Sequence, residues 1–207
     1  MKISYAITVC NEFMEIQRLV KFLLEHKQSQ DEIVILFDEA NGDPGVETFL
    51  RTHSQNSEFI WHKGKFAKHF AEWKNYLTSL CTGDYIFNID ADEIPNMEII
   101  KAIPDILQTN SNIDAFAIAR VNTVQGLTDE HIARWRWNVN EKGWVNWPDF
   151  QWRIYRNNGK VLWKNRVHEV LDGFTTYSQL PMEEEFSLYH PKTIERQEKQ
   201  NNFYESL

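Results

Sequence analysis

The alternation of strand-like and helix-like segments through the first half of the chain most constrains its fold. Short apolar runs occupy residues 4–9, 32–37, 59–61 and 83–89, and they are separated by stretches whose apolar residues recur at helical spacing. This order is typical of a doubly wound sheet, in which buried parallel strands lie between layers of helices. We therefore predict an α/β fold with a central, mostly parallel sheet flanked by helices.

The second half of the chain differs because it concentrates the tryptophans, six of eight lying between Trp135 and Trp163. A helix is predicted after Pro95, at residues 99–107, and is expected to be interrupted or bent at Pro104. Strands are predicted at residues 114–121, 150–155, 160–163 and 167–171, and a charged helix at residues 194–204. No linker-like stretch divides the sequence, so we predict a single domain over residues 1–207 whose C-terminal part is antiparallel and aromatic-rich.

The net charge and the hydropathy of the sequence argue against several classes of partner. The formal net charge of −8 argues against a broad surface for nucleic acid or for an anionic membrane. No apolar run approaches the roughly 18–20 residues that a membrane-spanning helix needs. The first residues enter a strand-like segment without a leader pattern. We expect a cytoplasmic protein without a nucleic-acid partner or transmembrane segment, and peripheral contact with a membrane stays open.

An acidic motif, Asp90-Ala91-Asp92-Glu93, directly follows the apolar run at residues 83–89. In an extended chain, side chains two residues apart point to the same side, so Asp90 and Asp92 are expected to lie together. Two close carboxylates repel each other unless a counter-charge is present, and a hard divalent cation suits their oxygens. A solvated acidic turn is the alternative interpretation.

Polar residues also follow the first two predicted strands, as Asn11-Glu12 and Asp38-Glu39. The carboxyl ends of parallel strands meet at one edge of the sheet, and ligands of such sheets bind there. We therefore predict that these groups and the acidic motif converge on one binding site.

The ordered set of motifs resembles GT-A-fold glycosyltransferases of family two. The matching segments are Asn11-Glu12, Asp38, Lys74-Asn75, Gly83-Asp84-Tyr85, Asp90-Ala91-Asp92-Glu93, the segment at residues 148–156 (PDFQWRIYR) and Arg166-Val167-His168-Glu169. The last two resemble the subgroup related to lipopolysaccharide core glucosyltransferases. The resemblance implies a nucleotide-binding half at residues 1–95 and an acceptor-side half, with the C-terminal helix, at residues 96–207.

The resemblance also implies roles for individual residues. It assigns direct ligation of Mn²⁺ or Mg²⁺ to Asp92, with His168 as the second metal ligand. A carboxylate after the second strand contacts the base or ribose in the family, although a turn residue is an equal alternative here. The implied contacts of the donor nucleotide are Asn11, Glu12, Asp38, Lys74, Asn75 and Asp90.

Transfer with inversion also needs a base for the acceptor hydroxyl. Asp149 is the predicted base, and Glu93 is the other candidate, with a role as loop anchor as its alternative. Trp144, Trp147 and Trp152 offer flat faces for sugars, although aromatic residues at alternating strand positions are more often part of a core.

The implied function is an inverting, divalent-metal-dependent glycosyltransferase, an enzyme of the hexosyltransferase type. It moves a sugar from a nucleoside-diphosphate sugar, with UDP as the expected nucleotide, to a hydroxyl acceptor, expected to be a glycan. A nucleotidyltransferase is disfavoured because residues 9–13 contain no glycine for a phosphate loop. A non-catalytic binding module that holds a glycan or nucleotide stays open, and a plain metal-dependent hydrolase ranks last.

Overall fold

The structure, a computed structural model, describes residues 1–56 and 58–205. For residues 56 and 203–205 it describes the backbone alone. The first half alternates strands and helices. Its elements are β1 (Ile3–Val9), α1 (Phe13–His26), β2 (Glu32–Asp38), α2 (Pro44–His53), β3 (Ile60–Gly64), α3 (Phe70–Ser79) and β4 (Tyr85–Asp90). The expected strand and helix order of this half is confirmed.

The second half combines short strands with three helices among the described residues. Its elements are β5 (Ile94–Pro95), α4 (Met97–Thr109), β6 (Ala115–Gln125), α5 (Asp129–Trp135), β7 (Val145–Arg156), β8 (Leu162–Lys164), β9 (Val170–Asp172), β10 (Tyr177–Gln179), β11 (Ser187–Thr193) and α6 (Ile194–Glu205). Pro104 lies inside α4, which continues through it from Met97 to Thr109.

One sheet, of nine strands in the described residues, runs through both halves in the order β3-β2-β1-β4-β7-β6-β11-β5, with β10 paired to β6. The first four strands are parallel, as are the pairs of β6 with β10 and β11. β7 is antiparallel to both β4 and β6. The prediction of an α/β fold on a mostly parallel sheet is confirmed.

The register brings distant residues to one edge of the sheet. Thr8 of β1 pairs with Asp90 at the end of β4. β7 runs the opposite way, so its early residue Asp149 pairs with Arg120 in the middle of β6. β11 runs parallel to β6 and sets His190 opposite Asn122. The carboxyl edge of the parallel strands therefore receives side chains from both halves.

The first half forms because its helices each bury one apolar face. In α1, Ile16, Leu19, Val20 and Leu23 are buried at the spacing of one helical face. In α2, the side chain of Asp43 accepts a hydrogen bond from the backbone of Gly45 and caps the helix before Pro44.

None of the helices described is long and apolar enough to cross a membrane.

Four elements have no counterpart in the sequence predictions, namely β5, α5, β10 and β11. β11 contains Pro191, and proline inside an apolar run argues against a strand. The structure accommodates it because β5 pairs only with Leu188 and Tyr189, which leaves β11 with one neighbour beyond that point. The strand predicted at residues 167–171 is also wrong in its start, because β9 begins at Val170.

Shortening a side chain in the middle of the sheet should destabilise the protein strongly. Ile7 of β1 is fully buried, whereas Ile60 of β3 is 50% exposed. We expect Ile7→Ala to lower the free energy of unfolding by about 2–5 kcal/mol, because it leaves a cavity in the core. The matched change Ile60→Ala should cost less than about 1 kcal/mol, as measured by urea denaturation. Equal losses would contradict the described burial.

Candidate functional site

A fully buried carboxylate, Glu93, organises the carboxyl edge of the sheet. Its Oε1 accepts hydrogen bonds from Arg153 Nη2 at 2.5 Å and from Arg120 Nη1 at 3.1 Å. Its Oε2 accepts from the backbone N–H of Asp90 at 3.2 Å, and its own N–H donates to the carbonyl of Asp90 at 2.9 Å. A buried charge is tolerated when it is paired and hydrogen-bonded, as it is here. Glu93 thus closes the turn after β4 and ties it to β6 and β7.

The two arginines each hold a second carboxylate beside Glu93. Arg153 Nη2 lies 2.6 Å from Asp90 Oδ2. Arg120 donates from Nε at 2.9 Å and from Nη2 at 2.7 Å to Asp149 Oδ2. Burial raises the pKa of Asp90, but the charges of Arg153 and nearby Lys74 lower it more, so its pKa stays well below the usual range. Asp90 is therefore an ionised partner of these cations.

Asp149 lies in β7 with part of its side chain, 24%, open to solvent. Besides Arg120, it accepts hydrogen bonds from Asn122 Nδ2 at 2.8 Å and from Gln151 Nε2 at 2.6 Å. Burial raises the pKa of this carboxyl, but the charge of Arg120 and the donated hydrogen bonds lower it below its ordinary value. Asp149 is thus ionised at neutral pH, in a fixed orientation, and able to accept a proton.

Asp92 lies two residues beyond Asp90 and contacts the last strand and helix. Its Oδ2 is 3.3 Å from His190 Nε2 and 3.9 Å from Lys192 Nζ, both in β11. Arg196 Nη2 of α6 is 3.5 Å from the same oxygen. Burial raises the pKa of Asp92, but the hydrogen bond and charge of His190 and the charge of Lys192 hold it well below its usual range.

Asn122 determines which nitrogen of His190 carries a proton. Its amide Nδ2 donates to Asp149, so its Oδ1 must be the atom that faces His190 Nδ1 at 2.7 Å. Nδ1 therefore donates, and Nε2 faces the carboxylate of Asp92.

A divalent cation fits this donor pair. Carboxylate and imidazole are both ligands of Mn²⁺, and a histidine ligand usually has its other nitrogen fixed by a hydrogen bond, as Asn122 provides. The described residues contain no group of three or more His, Cys, Asp or Glu side chains arranged to hold a metal. Asp92 and His190 would therefore supply two ligands and leave further positions for oxygens of another molecule or of water.

Comparison with known proteins identifies the family. Residues 4–186 match the family described as "Glycosyl transferase family 2", which covers most of the chain. The chain belongs to glycosyl transferase family 2. The resemblance expected from the motifs is thus confirmed, whereas the narrower likeness to lipopolysaccharide core enzymes stays a prediction. No curated protein sequence matches the chain significantly.

Solved structures share the fold of this family 2 domain. The crystal structure of S. aureus TarS 1-349 in complex with UDP-GlcNAc superimposes with a TM-score of 0.58 at 13% identity, over 93% of this chain and 59% of that one. The crystal structure of S. aureus TarS gives a TM-score of 0.59 at 12% identity, over 92% of this chain and 37% of that one. The domain thus spans less than two thirds of these structures, and at such identity the likeness concerns the fold.

The predicted donor-site residues after the first two strands make local contacts. Asp38, only 3% exposed, accepts from the backbone of Ala40 and Phe66 and from the side chain of Asn41. Glu12 accepts from the backbone N–H groups of Cys10 and Asn11, and it lies 3.3 Å from Arg196. Asn11 itself is exposed. These residues shape the loops at the expected edge, and their contact with a nucleotide stays a prediction.

Lys74 and Asn75, the predicted donor-site pair on α3, make different kinds of contact. Lys74 is buried, with Nζ 2.7 Å from Glu169 Oε1 and 3.7 Å from Asp90 Oδ1, so it belongs to the charged cluster. Asn75 exchanges two hydrogen bonds of 2.9 Å with the backbone of Trp163. Its amide therefore holds β8 against α3, and its predicted nucleotide contact stays a prediction without a supporting contact in the described residues.

The predicted metal ligand His168 lies in an exposed loop rather than in the expected strand. It lies between β8 and β9, and its φ of 52° is in the left-handed region. Its neighbour Glu169 reaches Lys74, so this loop adjoins the Asp90 side of the cluster. The imidazole that the structure sets against Asp92 is His190, which the sequence did not suggest as a metal ligand.

Sequence reasoning also missed residues on β6 and β11. Arg120 and Asn122 follow Ile118 at every second position of β6, and His190 and Lys192 follow Leu188 in the same way on β11. Polar residues that continue the buried face of a strand were the available signal, because they need partners once buried. Arg120 and Asn122 were missed altogether, whereas the sequence suggests His190, Lys192 and Arg196 only as part of a C-terminal lid over the nucleotide, with an exposed helix as the preferred interpretation.

Removing the charge of Glu93 should destabilise the protein more than removing a surface charge. Glu93→Gln leaves Arg120 and Arg153 without their shared buried anion, so we expect the free energy of unfolding to fall by about 3–5 kcal/mol. The control is Glu98→Gln, whose half-exposed side chain pairs with Lys101 at 2.9 Å and should cost less than about 1 kcal/mol. Similar losses in thermal denaturation would contradict a central role for Glu93.

Proposed function

We propose that the protein is an inverting, divalent-metal-dependent glycosyltransferase. It moves a sugar from a nucleoside-diphosphate sugar, with UDP as the expected nucleotide, to a hydroxyl group of an acceptor that is expected to be a glycan. The observation that carries this proposal is the joining of an ionised carboxylate, Asp149, to the Asp92–His190 pair through the single amide of Asn122. Membership of family 2 and the fold shared with a UDP-GlcNAc complex of TarS support it.

The donor diphosphate would bind beside Asp92. Asp92 and His190 would hold Mn²⁺ or Mg²⁺, which would supply positive charge for the diphosphate. Lys192 and Arg196 lie within 3.9 Å and 3.5 Å of Asp92 and add positive charge at the same place. Arginine suits phosphate oxygens because its donors form a planar fork. These cations would stabilise the leaving nucleoside diphosphate.

Asp149 would act as the base. As the acceptor oxygen forms its bond to the anomeric carbon, the bond from that carbon to the diphosphate oxygen breaks and its electron pair leaves with the nucleotide. The acceptor proton passes to a carboxylate oxygen of Asp149. A pKa below the ordinary value keeps this group ionised and ready to accept the proton, although it also makes the base weaker.

Arg120 and Glu93 would position the base rather than react. Arg120 fixes Asp149 Oδ2 by two hydrogen bonds and is itself fixed by Glu93. Asp149 Oδ1 accepts only from Gln151 among the described residues, so it is the less committed oxygen. Such prior orientation reduces what must be ordered when the acceptor arrives.

Nucleotide binding should depend on metal and on two named ligands. We expect one of UDP, GDP, CDP and dTDP to bind in calorimetry only with Mn²⁺, with UDP as the expected nucleotide. Asp92→Asn and His190→Gln should each weaken that binding at least about 10-fold, since even residues that merely support a metal ligand contribute 10–100-fold. His168→Gln is the matched control for the second histidine.

Loss of binding in His168→Gln with retention in His190→Gln would restore the sequence-based assignment of the metal ligand. If no nucleotide binds under any metal condition, the proposed function fails.

Replacing the base should separate binding from turnover. We expect Asp149→Asn to retain metal-dependent UDP binding but to release UDP from a UDP-sugar at least about 100-fold more slowly, with water or a glycan as acceptor. Turnover within about threefold of the wild type would contradict the role of Asp149. If the wild type binds UDP but releases no UDP from a UDP-sugar with either acceptor, the protein is a binding module instead.

A further inference from the structure

An open groove of about 700 Å³ lies next to the proposed base. One wall comes from Lys142 and Trp144, which precede β7, and from Trp147 near the start of β7; the other comes from Met182–Glu185 before β11. The same two segments continue into Asp149 and His190. Trp147 precedes Asp149 by two residues, so their Cα atoms are at most about 7 Å apart. The groove, lined by residues 139–142, 144, 147 and 182–185, therefore lies close along the chain to Asp149.

A bulge in β7 removes Trp147 from the strand ladder. Arg120 pairs with Asp149 and Asn122 pairs with Val145, so residues 146–148 of β7 stand opposite a single residue of β6. Bulges beside functional sites redirect side chains away from the regular alternation. Trp147 is thereby left half-buried and lines the groove.

The tryptophans of the groove are held before any ligand arrives. The rings of Trp144 and Trp147 meet edge to face with centroids 4.7 Å apart. Lys142 Nζ lies 4.4 Å from the centre of the Trp144 ring and 3.0 Å from Glu184 Oε2. Asn140 Oδ1 accepts from the backbone of Lys142 and Trp144 and closes the loop. Rigid aromatic side chains lose little freedom on binding, which favours affinity.

Charge selects among the ligands that such a surface could take. Glu184 is paired with Lys142, but the exposed carboxylates of Glu183 and Glu185 have no cationic partner among the described residues. Two unpaired anions repel an anionic ligand and attract a cationic one. Aromatic faces pack against the C–H groups of a pyranose ring, and carboxylates accept hydrogen bonds from its hydroxyl groups.

We infer that this groove binds the sugar units of a glycan acceptor next to the one that is modified, and that these units are neutral or amino-bearing rather than acidic. This inference rests on the proposed function, because it assigns the acceptor side of the same site. Trp147 supplies the principal contact. Glu183 and Glu185 set the preference for charge.

An array of immobilised neutral, amino-bearing and acidic oligosaccharides tests this inference with the whole chain. We expect capture by neutral or amino-bearing glycans, and the strongest of them is then titrated in solution. Trp147→Ala should weaken its binding at least about 10-fold, because tryptophan is prominent among the residues that dominate binding energies, and Trp147→Phe should recover part of the loss. Trp137→Ala is the matched control, since Trp137 is half-buried outside the groove.

The charge preference has its own variant. Glu183→Gln combined with Glu185→Gln should raise capture by the acidic glycans relative to the wild type. Capture of acidic glycans first, absence of any capture, or equal binding by Trp147→Ala and the wild type would each overturn the inference. UDP binding measured on the same variants reports the donor site separately: if UDP binds and no glycan does, the groove assignment alone fails.

Discussion

The interaction on which the edge of the sheet depends is the sharing of the Glu93 carboxylate between Arg120 and Arg153. Glu93 follows β4, Arg120 lies in β6 and Arg153 lies in β7, so three separate parts of the chain meet at one anion. Because all three groups are well shielded from water, each needs the others to offset the cost of burial. Asp90 and Asp149 then receive their orientation from arginines whose own positions are already determined.

The charges at this edge fall into an inner and an outer set. The inner set consists of Glu93 with its arginines, together with Lys74 between Asp90 and Glu169. The outer set is Asp92 with His190, Lys192 and Arg196, which come from the last strand and helix. Contacts of Asp92 in the outer set are 3.3–3.9 Å long, whereas those in the inner set are 2.5–3.1 Å long except for the 3.7 Å contact of Lys74 with Asp90. Arg196 also pairs with Glu15 and Lys192 donates to Gln200, so further contacts anchor the outer cations.

The first half of the fold could be predicted from sequence because its strands and helices follow local periodicity. The position of Asp90 and Asp92 at the carboxyl edge followed from the same pattern. The partners of these aspartates could not be predicted, because Arg120, Asn122 and His190 reach them only through pairing between distant strands. Because Pro191 argued against a strand, β11 was not predicted, and neither was the position of its His190 beside Asp92. A family motif drew attention to His168 instead, which lies in a loop.

The segment that carries the groove tryptophans, residues 138–147, is held together by hydrogen bonds between its own residues. The backbone of Asn146 bonds to Asn138, and Asn140 bonds to both Gly143 and Trp144. Arg120, Arg153 and Glu93 lie outside this loop, in or beside the regular strands. Residues 138–144, which precede the pairing of Val145 with Asn122, can therefore vary in composition without direct effect on the charged framework. A fold arranged in this way can diversify the molecules it recognises while it keeps its chemistry constant.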